Sequence, residues 1–213
     1  MDDQIIAVNY LTEPGPQNTE LVLATALNRA EELGLKHLVV ATDSGKTARK
    51  ALEVFGDDYQ IAAVTNADRL RLPLDRLHDY TDRFRQFRDG LRAQGVKAIA
   101  VGMTDEAMEE LRGLGVKVSR IDWGQFNKFV RRDVNSLDCI GVAVRVALTC
   151  VVWARINGDL PAGVEVIALA GTGFGGGGAD TALVVRTGEA WRDFRVLETL
   201  VRPRVSPPSM LNK

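Results

Sequence analysis

Six residues between a strand-like run and a helix-like run combine hydroxyl, glycine and lysine groups in one short loop. The loop reads Thr42-Asp43-Ser44-Gly45-Lys46-Thr47. A helix N-terminus presents N–H groups that lack intrahelical acceptors, and it carries about half a positive charge. Phosphate is the anion that this arrangement suits best. The loop therefore predicts a phosphate site formed by Thr42, Ser44, Gly45, Lys46 and Thr47, which the Asp43 carboxylate opposes unless it points away.

Two alternatives compete with that prediction. Ser44 could serve only as a helix cap, with Lys46 solvated. The Gly-Lys-Thr run is also similar to the end of a Walker A motif, but the position of that motif's first glycine is Val40, inside the strand. The loop is therefore too short to wrap a polyphosphate.

A second loop is dense in glycine and spans residues 170–181. Gly171, Gly173 and Gly176 match the spacing G-x-G-x-x-G, but a strand-like run beginning at Thr181 follows instead of the helix that a dinucleotide site requires. The loop is either a mobile hairpin tip or a flexible lid. As a lid, its N–H groups and the Thr172 hydroxyl would close over an anion held by the first loop.

Strand-like and helix-like runs alternate along the chain, which favours a layered α/β fold. The predicted strands are Ile5–Asn9, His37–Thr42, Gln60–Thr65, Ala98–Gly102, Lys117–Ile121, Glu165–Ala170 and Thr181–Arg186. The predicted helices are Thr19–Leu33, Lys46–Phe55, Leu74–Ala93, Asp105–Leu111 and Leu137–Ile156. Both loops begin at carboxyl ends of strands, where α/β sheets bind ligands. If the two strands are neighbours, the loops share one pocket.

The composition of the chain limits the kinds of partner and the chemistry that can be expected. A net charge of −1 gives no field that favours nucleic acid or an acidic membrane. Cys139 and Cys150 lie on one predicted helix, about 16 Å apart, which is too far for a disulfide and suits a reducing cytoplasm. His37 and His78 lack metal-ligand spacing, so no metal site is predicted. We expect a cytoplasmic protein with one α/β domain over residues 1–202 and an extended tail over 203–213.

Three further segments have open interpretations. Residues 9–18 follow the first predicted strand and either contact a ligand or simply lead into a helix. Trp123 and Phe126 either stack on a ring or pack in the core. The predicted helix Leu74–Ala93 has an apolar stripe that is either core or the surface of a homo-oligomer.

The pattern of Thr42–Ala48, Thr-x-Ser-Gly-x-Thr-Ala between a strand and a helix, resembles the C-terminal α/β domain of pyruvate kinase. The glycine-rich loop within residues 167–185 resembles the last hairpin of that domain, and the resemblance covers residues 20–66 and 135–187. It implies a three-layer α/β/α sandwich with a mostly parallel mixed sheet. In allosteric pyruvate kinases these loops hold the phosphates of a sugar bisphosphate, which implies that Gly171, Thr172 and Gly173 line the site opposite the first loop.

The chain looks like a stand-alone relative of that domain, of which many are prokaryotic. Nothing in it resembles the catalytic barrel, so pyruvate kinase activity is not implied. Asp43 and the length of the run Gly175–Gly178 depart from the family pattern. We predict binding of a phosphorylated small molecule, such as a mononucleotide, flavin mononucleotide (FMN) or a sugar phosphate. The alternatives are an enzyme acting on such a ligand, although no catalytic constellation is recognisable, and a regulatory or oligomerisation module.

Overall fold

A computed structural model describes residues 7–66, 70–76, 82–130, 134–173 and 178–206. The strands are β1 Asn9–Leu11, β2 His37–Ala41, β3 Gln60–Thr65, β4 Leu70–Pro73, β5 Ala98–Val101, β6 Lys117–Arg120, β7 Glu165–Ala170, β8 Thr181–Arg186 and β9 Arg195–Pro203. The helices are α1 Thr19–Leu33, α2 Lys46–Phe55, α3 Asp82–Ala93, α4 Asp105–Gly113, α5 Trp123–Val130 and α6 Val142–Ile156.

Seven strands form one mixed sheet in the order β1-β9-β8-β7-β2-β3-β6. β7, β2, β3 and β6 are parallel neighbours, and β1 is parallel to β9. β8 is antiparallel to both β7 and β9. A separate antiparallel pair joins β4 and β5. The predicted fold class, an α/β/α sandwich with a mostly parallel mixed sheet, is confirmed.

The central strands are apolar on both faces because helices cover both faces. Leu38 and Val40 of β2 belong to one buried cluster with residues of α1, α2 and α4. Val39, between them, belongs to the other cluster with residues of α5 and α6. All three side chains are fully buried, so the alternation along β2 sorts its residues between two cores.

The most apolar helix begins later than its pattern predicts. α6 starts at Val142, after Gly141 with φ +149°, and residues Val134–Cys139 form a 3₁₀ turn. Cys139 and Cys150 therefore lie in different elements, and both are free thiols. Among the described residues, none of the helices has the length and apolar character needed to span a bilayer.

Other elements also differ from the predictions. The strands β4 and β9 and the helix α5 were not predicted, and Leu74–Arg76, the predicted start of a helix, form a 3₁₀ turn, whereas α3 covers Asp82–Ala93. The first strand covers Asn9–Leu11, so only Asn9 of the predicted strand Ile5–Asn9 lies in it; Ile5 and Ile6 are outside the described residues. Pro203, the first residue of the predicted tail, is buried at the end of β9, where it pairs with Leu11. Residues 207–213 of that tail are outside the described residues.

Candidate functional site

The two loops predicted to form a site start side by side. β2 and β7 are adjacent parallel strands, with Leu38 opposite Ile167 and Val40 opposite Leu169. Because parallel strands end at the same edge, the loop after Ala41 and the loop after Ala170 leave the sheet from neighbouring positions. The condition on which a shared site depended is therefore met.

The first loop turns tightly into α2. The Thr42 hydroxyl accepts the backbone N–H of Gly45 at 3.1 Å, which closes the turn. Gly45 has φ +78°, a conformation that favours glycine, and a Cβ there would lie 3.0 Å from a guanidinium nitrogen of Arg49. The Arg49 side chain is held in place by two hydrogen bonds to Glu110, of 2.6 and 3.2 Å. Thr42 and Gly45 thus build the turn.

The other residues of this loop that were predicted to contact phosphate differ in their exposure to solvent. Ser44 and Lys46 are exposed at the start of α2, whereas Thr47 is only 4% exposed and faces the core. The backbone N–H groups of Lys46 and Thr47 are among those at a helix start that have no intrahelical acceptor. The groups accessible to an anion are therefore the Ser44 hydroxyl, the Lys46 ammonium and the backbone N–H groups of the first turn.

The base of the glycine-rich loop is closely packed. A Cβ at Gly171 would lie 2.3 Å from the carbonyl oxygen of Gly178, so the two ends of the loop approach each other too closely for a side chain. Gly173 has φ +132° and has no atom within 4 Å of an added Cβ. Residues 174–177, which include most of the predicted glycine run, are outside the described residues.

A buried carboxylate ties this base to the turn before α1. Asp180 is fully buried and accepts the backbone N–H of Gly15 at 3.0 Å and that of Thr172 at 3.1 Å. It also accepts the Thr181 hydroxyl at 3.2 Å. Burial raises the pKa of Asp180, and these hydrogen bonds oppose the rise. The backbone N–H of Thr172 is thus engaged by the protein's own anion.

The turn before α1 makes a second connection to the same loop. The Thr19 hydroxyl donates to the Pro16 carbonyl at 2.7 Å and accepts the backbone N–H of Ala179 at 3.0 Å. Residues 14–19 are therefore joined to the base of the glycine-rich loop. For this segment the structure supports a structural role, as the entry to α1, and it also places the turn at the carboxyl edge of the sheet.

Replacing Gly178 with alanine should push the base of the glycine-rich loop away from residues 14–19. Gly178 has φ +89°, and an added Cβ would lie 2.5 Å from Cα of Pro16 and 2.6 Å from Oγ1 of Thr19. We expect Gly178→Ala to lower the free energy of unfolding by about 2–3 kcal/mol, measured by urea denaturation, because strain and overpacking add. Gly163→Ala is the matched control, since Gly163 has φ +77° and no atom within 4 Å; it should cost about 1 kcal/mol. Equal losses would contradict the contact.

The Asp43 side chain does not take part in the turn of the first loop. Its Oδ1 lies 3.4 Å from the backbone nitrogen of Asn66 and 3.3 Å from Nδ2 of the same residue. The Thr65 hydroxyl also approaches this oxygen, at 3.4 Å. Partial desolvation of the carboxylate raises the pKa of Asp43, although the residue keeps exposed surface, and these hydrogen bonds lower the pKa by less. The carboxylate therefore lies toward the end of β3, away from the turn that Thr42 and Gly45 build.

The two aromatic residues that could have stacked on a ligand, Trp123 and Phe126, pack in the core instead. Phe126 is fully buried and contacts Trp123 edge to face, with ring centroids 5.5 Å apart. Both belong to or pack against the cluster beneath α5 and α6. Within the described ranges, there is no group of three or more metal-ligating side chains that could hold a metal ion.

Sequence reasoning missed the role of Asp180. Its partner Gly15 is 165 positions away, so nothing local indicates the contact. The one available signal is a charged residue directly between Ala179 and a strand of buried type, where an unpaired charge would be costly.

Together, the mostly parallel sheet, its two helical layers and the loops at its carboxyl edge define an α/β sandwich of the kind that carries its functional loops at strand ends. A family model described as the alpha/beta domain of pyruvate kinase matches residues 20–185, more than three quarters of the chain. The chain belongs to this family. The matched range includes both loops and Asp180.

Proposed function

We propose that this protein binds a phosphorylated small molecule at its carboxyl edge, with the phosphate at the start of α2 and the glycine-rich loop over it. The observation that carries the proposal is the adjacency of β2 and β7, which brings both loops to one position. The proposal assigns phosphate contact to Ser44, Lys46 and the backbone N–H groups that follow them. It assigns the opposite wall to Gly171, Thr172 and Gly173.

The turn geometry supports this assignment. The shape of the loop is supported by contacts within the protein, because the Thr42 hydroxyl accepts the N–H of Gly45 and Thr47 is buried. Ser44 and Lys46 remain exposed on it, one as a hydroxyl donor and the other as a point charge. Such a site needs little ordering on binding, which lowers the cost of association.

The engagement of Asp180 supports the same position for the phosphate. Asp180 uses the backbone N–H groups of Gly15 and Thr172, and its negative charge lies beneath the glycine-rich loop. A second anion is repelled there. In the proposed site the phosphate therefore lies toward α2, and Thr172 takes part through its side chain instead of its backbone.

A thermal-shift panel tests the proposal. The wild-type protein is mixed with FMN, mononucleotides, sugar phosphates, sugar bisphosphates and inorganic phosphate, and with the dephosphorylated form of each organic ligand. A ligand at 100 times its Kd stabilises the protein by about 2.7 kcal/mol, which raises Tm by roughly 5–10 °C at this chain length. We expect at least one phosphorylated ligand to do so and its dephosphorylated form not to. A flat panel would contradict the proposal and favour a regulatory or oligomerisation role.

A further inference from the structure

One buried carboxyl group holds the turn before α1 against the base of the glycine-rich loop. Oδ2 of Asp180 accepts the backbone N–H of Gly15 at 3.0 Å and that of Thr172 at 3.1 Å. Oδ1 lies 3.1 Å from the same nitrogen of Thr172 and 3.2 Å from the Thr181 hydroxyl oxygen. We call Gly15, Thr172 and Asp180 the clamp, because these three residues join segments that are more than 150 positions apart in the chain.

Asp180 is the one ionisable residue of the segments that the clamp joins. Residues 14–19 and 171–179 carry no charge, and Asp180 is the only charged residue from Gly171 to Val185. Its side chain is fully buried. Burial raises the pKa of Asp180 and its hydrogen bonds oppose the rise, whereas no neighbouring charge among the described residues contributes.

The charged side chains on the elements around the clamp are exposed or have other partners. On α1, the Glu20 carboxylate is 88% exposed and lies 3.5 Å from the Lys50 ammonium. On β9, the Arg202 guanidinium lies over the Tyr10 ring, 5.9 Å from its centroid. The other members of this set are Glu13, Asp43, Lys46 and Arg204, which are all exposed. Within the described part of the chain, no cation therefore compensates an ionised Asp180.

The contacts of the clamp suit a neutral carboxyl group as well as an ionised one. In a protonated Asp180, Oδ2 still accepts the two backbone N–H groups, and a proton on Oδ1 can be donated to the Thr181 hydroxyl oxygen, which has two lone pairs. The ionised form makes the same contacts but buries a charge without a partner, which is costly. Separation of the two segments lets that charge reach water.

We propose that the clamp is a pH-sensitive switch, which is closed while Asp180 holds a proton and opens, by separation of residues 14–16 from residues 171–173, as Asp180 ionises. Opening then releases one proton, so it becomes more favourable as the pH rises above the ordinary pKa of 3.8. The inference does not require the proposed function. If that function holds, the switch also regulates the site, because Thr172 belongs to the proposed wall.

Amide hydrogen exchange, followed by NMR, tests the switch directly because the clamp's donors are themselves amides. The protection factors of Gly15 and Thr172 are measured without ligand and corrected for the intrinsic exchange rate at each pH. We expect both to fall by up to about tenfold per pH unit while Asp180 titrates, because opening releases one proton.

The other end of the β7–β8 pair supplies a matched control. There the backbone N–H of Val164 donates to the Thr187 hydroxyl at 3.1 Å, and Thr187 is only 2% exposed. This contact is buried and joins a backbone amide to a side chain, as the clamp does, but its acceptor does not ionise. The protection factor of Val164 should stay constant over the same range of pH.

Asp180→Asn removes the ionisation and keeps the shape of the side chain. Its amide oxygen can accept the two N–H groups and its NH₂ group can donate to Thr181, as the protonated acid does. We expect the protection factors of Gly15 and Thr172 in this variant to be independent of pH. A carboxyl ¹³C titration of the wild type is a second measurement, which needs no variant, and should give a pKa for Asp180 above 3.8.

Three results would overturn the inference. If the protection of Gly15 and Thr172 does not fall with pH, or falls equally in Asp180→Asn, ionisation of Asp180 does not open the clamp. If Val164 loses protection in parallel, the whole fold opens and the clamp is not a separate switch. If the carboxyl titration gives a pKa at or below 3.8, the closed clamp favours the ionised form and the direction of the switch is wrong. Each of these results is independent of ligand binding, so it leaves the proposed function to the thermal-shift panel.

Discussion

Asp180→Ala should lower the free energy of unfolding by about 3 kcal/mol or more, which corresponds to a fall in Tm of roughly 6–12 °C. The variant leaves the N–H groups of Gly15 and Thr172 buried without their acceptor, together with the Thr181 hydroxyl. Each buried donor without a partner costs about 1–3 kcal/mol. The measurement is urea denaturation of the wild type and the variant. Asp57→Ala, at an exposed position, is the control and should change stability by less than about 0.5 kcal/mol.

The pH dependence of stability gives a second measurement at the same residue. Burial raises the pKa of Asp180 in the folded protein above its ordinary value of 3.8. Between these two values the folded state holds a proton that the unfolded state has lost, so stability falls as the pH rises. We expect the wild type to lose stability relative to Asp180→Asn as the pH is raised through this window. A constant difference between the two proteins would contradict the raised pKa.

The strands at the centre of the sheet were predictable because their environment is uniform. β3, β7 and β8 have the predicted bounds, since apolar residues buried on both faces leave little room for another interpretation. The bounds of α1 were equally predictable. The helix begins at Thr19 and ends before Gly34, whose φ of +65° is typical of a glycine at the end of a helix.

β9 could not be predicted, and the reason is physical. Its first residues are exposed, and it carries Arg195, Glu198 and Arg202 among the apolar positions. Glu198 is compensated by two hydrogen bonds from Arg29 of α1, at 2.7 and 2.8 Å. This pairing joins residues 169 positions apart, so the sequence shows only a charged segment where the fold has an interior strand.

For the candidate site, the sequence predicted the residue types of the first loop and the start of α2 behind it. It did not predict which contacts the side chains of the loop make. The sequence places Thr42 and Asp43 next to each other in the loop, yet only the fold shows that Thr42 contacts Gly45 whereas Asp43 contacts Asn66. The contact between Asp180 and Gly15 depends on the crossover that brings residues 14–19 to the glycine-rich loop. Interactions that are remote in sequence therefore decide which N–H groups remain available to a ligand.

The double variant Ser44→Ala/Lys46→Ala should raise the Kd for a phosphorylated ligand by about tenfold or more. It removes a hydroxyl donor and a positive charge at exposed positions while leaving the turn intact, because Thr42 and Gly45 hold that turn. Hydrogen bonds to a charged group contribute about 1.5–3 kcal/mol each before solvent screening reduces them. Titration calorimetry with the ligand identified by the panel gives both Kd values.

The control for this experiment is Lys50→Ala, since Lys50 lies on the same helix one turn further from its start and is exposed. It removes one positive charge, as Lys46→Ala does, and should change the Kd by no more than about twofold, because the charge is further from the helix start. Both variants should unfold at the same urea concentration as the wild type. If the double variant keeps the wild-type affinity, the phosphate does not lie at the start of α2. If Lys50→Ala weakens binding as much as the double variant, the ligand is attracted by the net charge of the protein. A site built by the first turn of α2 would instead depend on where its donors lie, and Lys50 lies outside that turn.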